Sequence, residues 1–348
     1  MTPPVVFGYA VPDYAVPEYL HQISVPTPFP VGPVNVYLAE GATLTLVDAG
    51  PRFEQARQAL KNGLVDLGHR VGDLRRVIVT HAHADHYGLA SELARVSGAE
   101  VWAHKASVSR LAGRASQGPR TAWLPLGNDL SRTIKHARMM QWAGVPVPVM
   151  LRLARMRRGM GQYAEPLSPS RTLADGDVVR LGPEDWHVLH TPGHTGGLVC
   201  LYQPERHVLI SSDHLLRDIS SNPVVDVPEP GESEPPRRLV QYLQQLRRVA
   251  ELDVAVALPG HGPLILDHRA LVQSRLSFHE ERAGRILETL NERAHTAYEV
   301  AGRFFPQLDP INRFLAISEV IGHLQWLETD GRVVQVNRGG VARWQAIG

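Results

Sequence analysis

Residues 77–90 read VIVTHAHADHYGLA, an apolar, β-branched run that closes on three histidines and an aspartate within six positions. No other stretch restricts the fold as strongly. Polar groups of this kind lose hydration when a strand end is buried, so each must find a partner there. A buried histidine taken alone is more often a satisfied core or turn residue than a ligand. Three of them with an aspartate at this spacing shift the reading. Imidazole and carboxylate ligate zinc at about 2.0–2.2 Å. His81 and His83 are two apart on a loop and can turn toward one ion. Asp85 and His86 are adjacent, and a bend after the strand can turn them toward a second. Gly88 then allows close packing at the start of the next helix.

The same ending recurs along the chain. TLTLVDAG closes on Asp48, WHVLHTPGH on His194, HVLISSDH on Asp213 and His214, and VAVALPGHG on His261. Helical patterns lie between some of these runs, at 53–68 and 236–252, so the expected class is a layered α/β fold whose strand ends carry the chemistry. His194 and His261 sit in Pro-Gly turns, and Asp213 stands where one carboxylate can span two ions. The candidate set is His81, His83, Asp85, His86, His194, Asp213 and His261, enough for a dinuclear site with a bridging water. The other twelve of the 17 histidines are read as structural or surface residues. His190, His207 and His214 are the nearest contenders, each with a ready place in a turn or strand.

Composition divides the chain. Lys105–Met160 holds eleven Lys or Arg against one acid, Asp129, and five of the six methionines. It reads as a helical insertion at about 106–162. Ser131 is placed to cap one helix, and Val149, Leu153, Met156 and Met160 share a face of the next. Residues 222–236 read as a long surface loop. From 267 to 348 three helices, near 267–292, 296–305 and 309–328, precede a strand pair around NRGG. That order suggests a winged-helix-like domain following a catalytic domain at 1–266. Cys200 is the only cysteine, which excludes an internal disulfide and points to a reducing compartment. No stretch approaches the ~20 apolar residues that cross a bilayer. The N-terminus lacks the basic start and apolar run of a signal peptide, so a cytoplasmic location is expected.

THAHADHYG, HTPGHTGG, the Asp213 strand and LPGHG, in this order, resemble the metallo-β-lactamase-fold hydrolase superfamily. NVYLAEG and VDAG are similar to its opening strands. The resemblance implies an αββα sandwich over about residues 20–265, interrupted by the insertion. It implies two zinc ions per chain. His81, His83 and His194 would hold the first, Asp85, His86 and His261 the second, and Asp213 would bridge them. Asp48 resembles the family's scaffold aspartate rather than a ligand. The tail resembles the winged-helix extension of one subgroup. The Met/Arg insertion departs from the family pattern. The diiron flavoprotein branch has an acidic residue where His83 stands, and the true β-lactamases usually lack the aspartate bridge and are exported.

The implied chemistry is hydrolysis by a metal-bridging hydroxide, with Asp85 and Asp213 as the catalytic carboxylates. The insertion's methionines, with Trp123 and Trp142, offer apolar surface, and its arginines attract anions. Folded over the site as a lid, it would suit an ester, thioester or lactone with an apolar and an anionic part. Packed on the sheet, it would be purely structural. One alternative is a ribonuclease or phosphodiesterase. The electrically neutral tail and the insertion's lack of interleaved aromatics weigh against nucleic acid. Another is a mononuclear iron persulfide dioxygenase, which also resembles the HxHxDH and HTPGHT motifs. For the tail, packing beside the active site or between the subunits of a dimer is the expected role.

Overall fold

The computed structural model describes residues 5–6, 9–10, 16–112, 130–221, 223–227, 235–291, 293–306 and 310–347. The chain divides into two compact units. One comprises Met1–Arg114, Met160–Ser221 and Leu246–Val272, and the other Ala115–Gly159, Asn222–Gln245 and Gln273–Gly348.

In the first unit, Leu20–Val25 (β1), Val34–Ala39 (β2), Thr45–Val47 (β3), Arg76–Val79 (β4), Glu100–His104 (β5) and Arg171–Leu173 (β6) form a six-stranded sheet in that order. β1 to β3 are antiparallel neighbours, and β3 to β6 run parallel. Parallel neighbours need crossovers. Glu54–Asp66 (α1) joins β3 to β4, and Ala84–Tyr87 (α2) with Ala90–Ser97 (α3) joins β4 to β5. The long connection from β5 to β6 begins with Val108–Leu111 (α4) and carries, in the second unit, Leu130–Trp142 (α5) and Val147–Met160 (α6).

The second sheet comprises Val178–Leu181 (β7), Glu184–His190 (β8), Val199–Gln203 (β9), Val208–Ser212 (β10) and Val256–Pro259 (β11), also in chain order. Only its last pair is parallel.

Strand alternation builds two cores. Val36 and Leu38 of β2 and Val77 and Val79 of β4 pack with Ala56, Leu60 and Leu64 of α1 and Leu93 of α3. The residues between them, Tyr37 and Ile78, face the other way. They meet Trp186 and Val188 of β8, Leu201 of β9 and Ile210 of β10. The two sheets therefore pack face to face with helices outside, and all five strands expected to end in polar residues lie within them. Arg238–Ala250 (α7) enters the first unit at Leu246, where Arg248 donates to the His190 carbonyl and to Asp175. Cys200 is fully buried on β9 beside Thr191 Oγ1 and the Ser211 carbonyl; burial pushes its thiol up to about 12.

The second unit contains α5, α6, the start of α7 and the tail: His268–Leu290 (α8) from Gln273 onward, Ala297–Phe304 (α9), Pro310–Thr329 (α10), and a hairpin of Val333–Arg338 (β12) and Val341–Ala346 (β13). The insertion and the tail are joined by specific contacts. Tyr298 N donates to the Ala143 carbonyl at 3.0 Å, and the rings of Trp142 and Trp344 meet edge to face with centroids 5.1 Å apart. Gly144 is left-handed at φ +81°, and a Cβ there would lie 2.7 Å from Cβ of Thr296, the N-cap of α9. Met139, Met140 and Leu153 are buried. Trp123 and the side chains of Ser131, Met156 and Met160 lie outside the described residues.

Candidate metal centre

Each expected site residue follows a strand of the sandwich. Asp48 follows β3 and His81 follows Thr80 at the end of β4. His83, Asp85 and His86 lie on the turn into α2 and in α2 itself. His194 lies on the loop from β8 to β9, Asp213 follows β10, and His261 lies just beyond β11. Gly88 allows that turn to pack as expected: a Cβ there would lie 2.3 Å from the Tyr163 carbonyl oxygen and 2.6 Å from Arg52 N.

The seven residues converge in two groups. His81, His83, His194 and Asp213 form one, and Asp85, His86 and His261 the other; within each, the nearest ligand-type atoms lie within 4.8 Å of one another. In the first group, His83 Nδ1 is 3.1 Å from His81 Nε2 and 2.9 Å from His194 Nε2. Asp213 Oδ2 is 3.4 Å from His194 Nε2 and 3.9 Å from His81 Nε2. In the second, His261 Nε2 is 3.5 Å from Asp85 Oδ2. Asp213 reaches this group too, with Oδ1 3.4 Å from His86 Nε2 and Oδ2 3.7 Å from His261 Nε2. One carboxylate thus stands between both groups.

The far nitrogens of the rings are anchored. His86 Nδ1 donates to Asp48 Oδ2 at 2.7 Å, and His261 Nδ1 donates to the Pro33 carbonyl at 2.8 Å. Carboxylates and carbonyls only accept, so both rings carry their proton at Nδ1 and direct Nε2 inward. Asp48 Oδ1 accepts from Thr80 N at 2.8 Å, and Oδ2 accepts from Thr80 Oγ1 at 2.7 Å. Its oxygens are therefore engaged as a scaffold. His86 Nε2, His261 Nε2 and Asp213 Oδ1 are buried with no hydrogen-bond partner among the described residues. Converging imidazole nitrogens and carboxylate oxygens form a donor set suited to cations, so these residues fit the expected metals.

The electrostatics separate the groups. Burial holds His81 well below the usual imidazole range and brings His83 to about 3, with the positive charges around His83 including Arg110. Burial also lowers His194. At His86 and His261 burial acts the same way, but Asp213 and its companion carboxylates outweigh it and raise both. Burial alone would raise Asp213 and Asp85. His86 and His261 reverse this, leaving Asp213 well below and Asp85 below the ordinary carboxylate range.

The remaining contenders lie elsewhere. His190 Nε2 donates to the Gly196 carbonyl, and His207 Nδ1 lies 3.3 Å from Asp253 Oδ2. His214 is buried outside both groups. Sequence reasoning missed Thr80, Ser212, Gly260 and Arg110 as neighbours of the site. For Thr80 and Ser212 the available signal was a hydroxyl residue directly before a ligand position in an apolar strand. Gly260 is packed against the site: a Cβ there would lie 2.2 Å from Asp213 Oδ1 and 2.8 Å from His86 Cε1.

Several known proteins are similar to this chain. A probable metallo-hydrolase of Bacillus subtilis, YqjP, is 30% identical over 327 residues, 93% of this chain and 97% of its own. The human acyl-coenzyme A thioesterase MBLAC2 is 27% identical across 65% of this chain and 72% of its own. The crystal structure of the metallo-beta-lactamase family protein TTHA1429 from Thermus thermophilus superposes with a TM-score of 0.79 at 27% identity, covering 94% of this chain and 99% of that one. Residues 29–261 match the family model of the metallo-beta-lactamase superfamily, so this chain, a metallo-hydrolase by its relatives and its histidine–aspartate site, belongs to that superfamily.

Proposed function

We propose that this chain is a dinuclear zinc hydrolase of acyl thioesters. The observation that carries the reading is Asp213, whose two oxygens reach two histidine groups. His81, His83, His194 and Asp213 would hold one ion, and Asp85, His86, His261 and Asp213 the second. Two such ions would supply a water of lowered pKa and polarise the substrate carbonyl.

The chain's own groups do the rest. Asp48 and Pro33 fix the His86 and His261 rings through their Nδ1 protons, so neither ring has to reorient for its Nε2 to face the site. The Asp85 side chain is 14% exposed against 7% for Asp213, which supports reading Asp85 as the carboxylate that orients the attacking water. Arg110 contributes positive charge near His83, favourable for an anionic carrier group on the substrate. Buried Cys200, with its raised pKa, is not placed to be a nucleophile. The thioester is preferred over a lactone or simple ester because an acyl-coenzyme A thioesterase is among the relatives. We read the tail as a winged-helix-like domain whose role is packing.

No helix among the described residues is long and apolar enough to cross a membrane. The test is a screen of the purified protein against acyl-coenzyme A and acyl-carrier thioesters, lactones, phosphodiesters and single-stranded RNA, with metal counted in the same sample. Two zinc per chain and fastest turnover on a thioester support the reading. Faster cleavage of RNA or of a phosphodiester overturns it, as does one iron with oxygen uptake on a persulfide.

A further inference from the structure

Ser212 closes β10 and immediately precedes Asp213. Its φ is +46°, a left-handed conformation that residues with a Cβ rarely adopt and glycine adopts freely. The residue is 1% exposed, so no surface requirement explains a serine there. Its Oγ lies 2.8 Å from Oγ1 of Thr80, which closes β4 in the other sheet and immediately precedes His81. One hydroxyl pair therefore links the ends of two strands, one from each sheet, at the two positions just before candidate ligands.

Proton accounting gives this pair a direction. Thr80 Oγ1 has one proton and lies 2.7 Å from Asp48 Oδ2, 2.8 Å from Ser212 Oγ and 3.2 Å from His81 Nδ1. Asp48 can only accept, so the Thr80 proton goes to it. The Thr80 oxygen then accepts from Ser212 Oγ–H and from His81 Nδ1–H. His81 is thereby held with its proton on Nδ1 and its Nε2 lone pair directed at His83 and His194, the form a metal ligand requires.

We propose that Ser212 is a positioning residue for the metal centre. By donating to Thr80 it keeps that hydroxyl an acceptor for His81, and the same bond pins the left-handed turn that aims Asp213. A serine thus stands where the backbone favours glycine, and its hydroxyl is the feature the site uses. The inference rests on the metal reading above and specifies how the chain prepares its first ion site.

The experiment measures zinc affinity by competition with a chromophoric chelator, alongside the thermal midpoint of the metal-free protein. Ser212→Gly removes the hydroxyl and relieves the backbone. Zinc affinity should fall about 10-fold or more, as for other residues that orient metal ligands, while the metal-free midpoint stays level or rises. A purely structural role would move both quantities downward together. Ser212→Ala should lose affinity similarly without any rise in midpoint. Thr80→Ser should restore most of the affinity that Thr80→Val loses, and adding Ser212→Gly to Thr80→Val should cost nothing further. Wild-type zinc affinity in both Ser212 variants overturns the proposal. A wild-type chain that takes up no zinc overturns the metal reading itself, and this inference with it.

Discussion

Oδ1 of Asp213 stands 3.4 Å from Nε2 of His86, and both atoms are buried with no hydrogen-bond partner among the described residues. Leaving two such atoms unsatisfied costs roughly 1–3 kcal/mol each, more where charge is involved. Their position where the two histidine groups converge suits a ligand pair. On the proposed dinuclear thioesterase reading, Asp213→Ala should lower bound metal from two equivalents to one or fewer and reduce thioester turnover at least about 100-fold. Metal analysis and a thioester assay on one preparation check this; two retained equivalents with unchanged turnover would refute the bridging role.

Gly260 should tolerate no side chain. A Cβ would lie 2.2 Å from Asp213 Oδ1 and 2.8 Å from His86 Cε1. Gly260→Ala should displace the carboxylate, with loss of metal and about 1–3 kcal/mol of stability, the usual cost of overpacking. Metal content and chemical denaturation report the two effects separately. A variant with full metal content would show that the Asp213 carboxylate can move.

Acid should weaken the second unit through a buried histidine pair. His279 Nδ1 lies 3.2 Å from His323 Nε2, and His323 Nδ1 donates to the Glu319 carbonyl. Burial brings His279 to about 3 and His323 to about 4. The unfolded chain protonates both near pH 6.5, while the folded chain keeps them neutral to lower pH. Their contribution is thus complete above pH 6.5 and is lost as pH falls, down to about 4 for His323 and about 3 for His279, by roughly 1.4 kcal/mol per pH unit for each proton. His279→Gln should flatten that limb of a plot of unfolding free energy against pH; an unchanged slope would assign acid sensitivity elsewhere.

Trp142→Ala should destabilise the second unit by about 1–3 kcal/mol, because the ring packs edge to face on the fully buried Trp344. The same variant should retain bound metal, since no ligand candidate among the described residues lies in that unit. A fall in the thermal midpoint with constant zinc content is the expected pair of readings. A concerted loss of both would tie the insertion to the metal centre.

Most of the candidate site was legible because its ligands are local in sequence. H-x-H-x-D-H, HTPGH and LPGHG each place an imidazole or carboxylate on a short turn after a strand, and the strands themselves show as β-branched runs. The anchors were less legible. Pro33 contributes only a carbonyl oxygen to His261, and a backbone acceptor has no signature in residue type. Gly260 reads as an ordinary turn glycine until Asp213 and His86 are seen to occupy the volume its Cβ would need.

By itself the sequence determined which side chains can ligate a metal and which strand ends carry them, since ligand chemistry belongs to the residue and strand periodicity to its immediate neighbours. Only the tertiary structure decided that Ser212 meets Thr80 across two sheets and that the Met-rich insertion packs against the tail through Trp142 and Trp344. A hydroxyl or an apolar face specifies what kind of partner it needs but not which one. That choice is made when distant segments compete for the same buried volume.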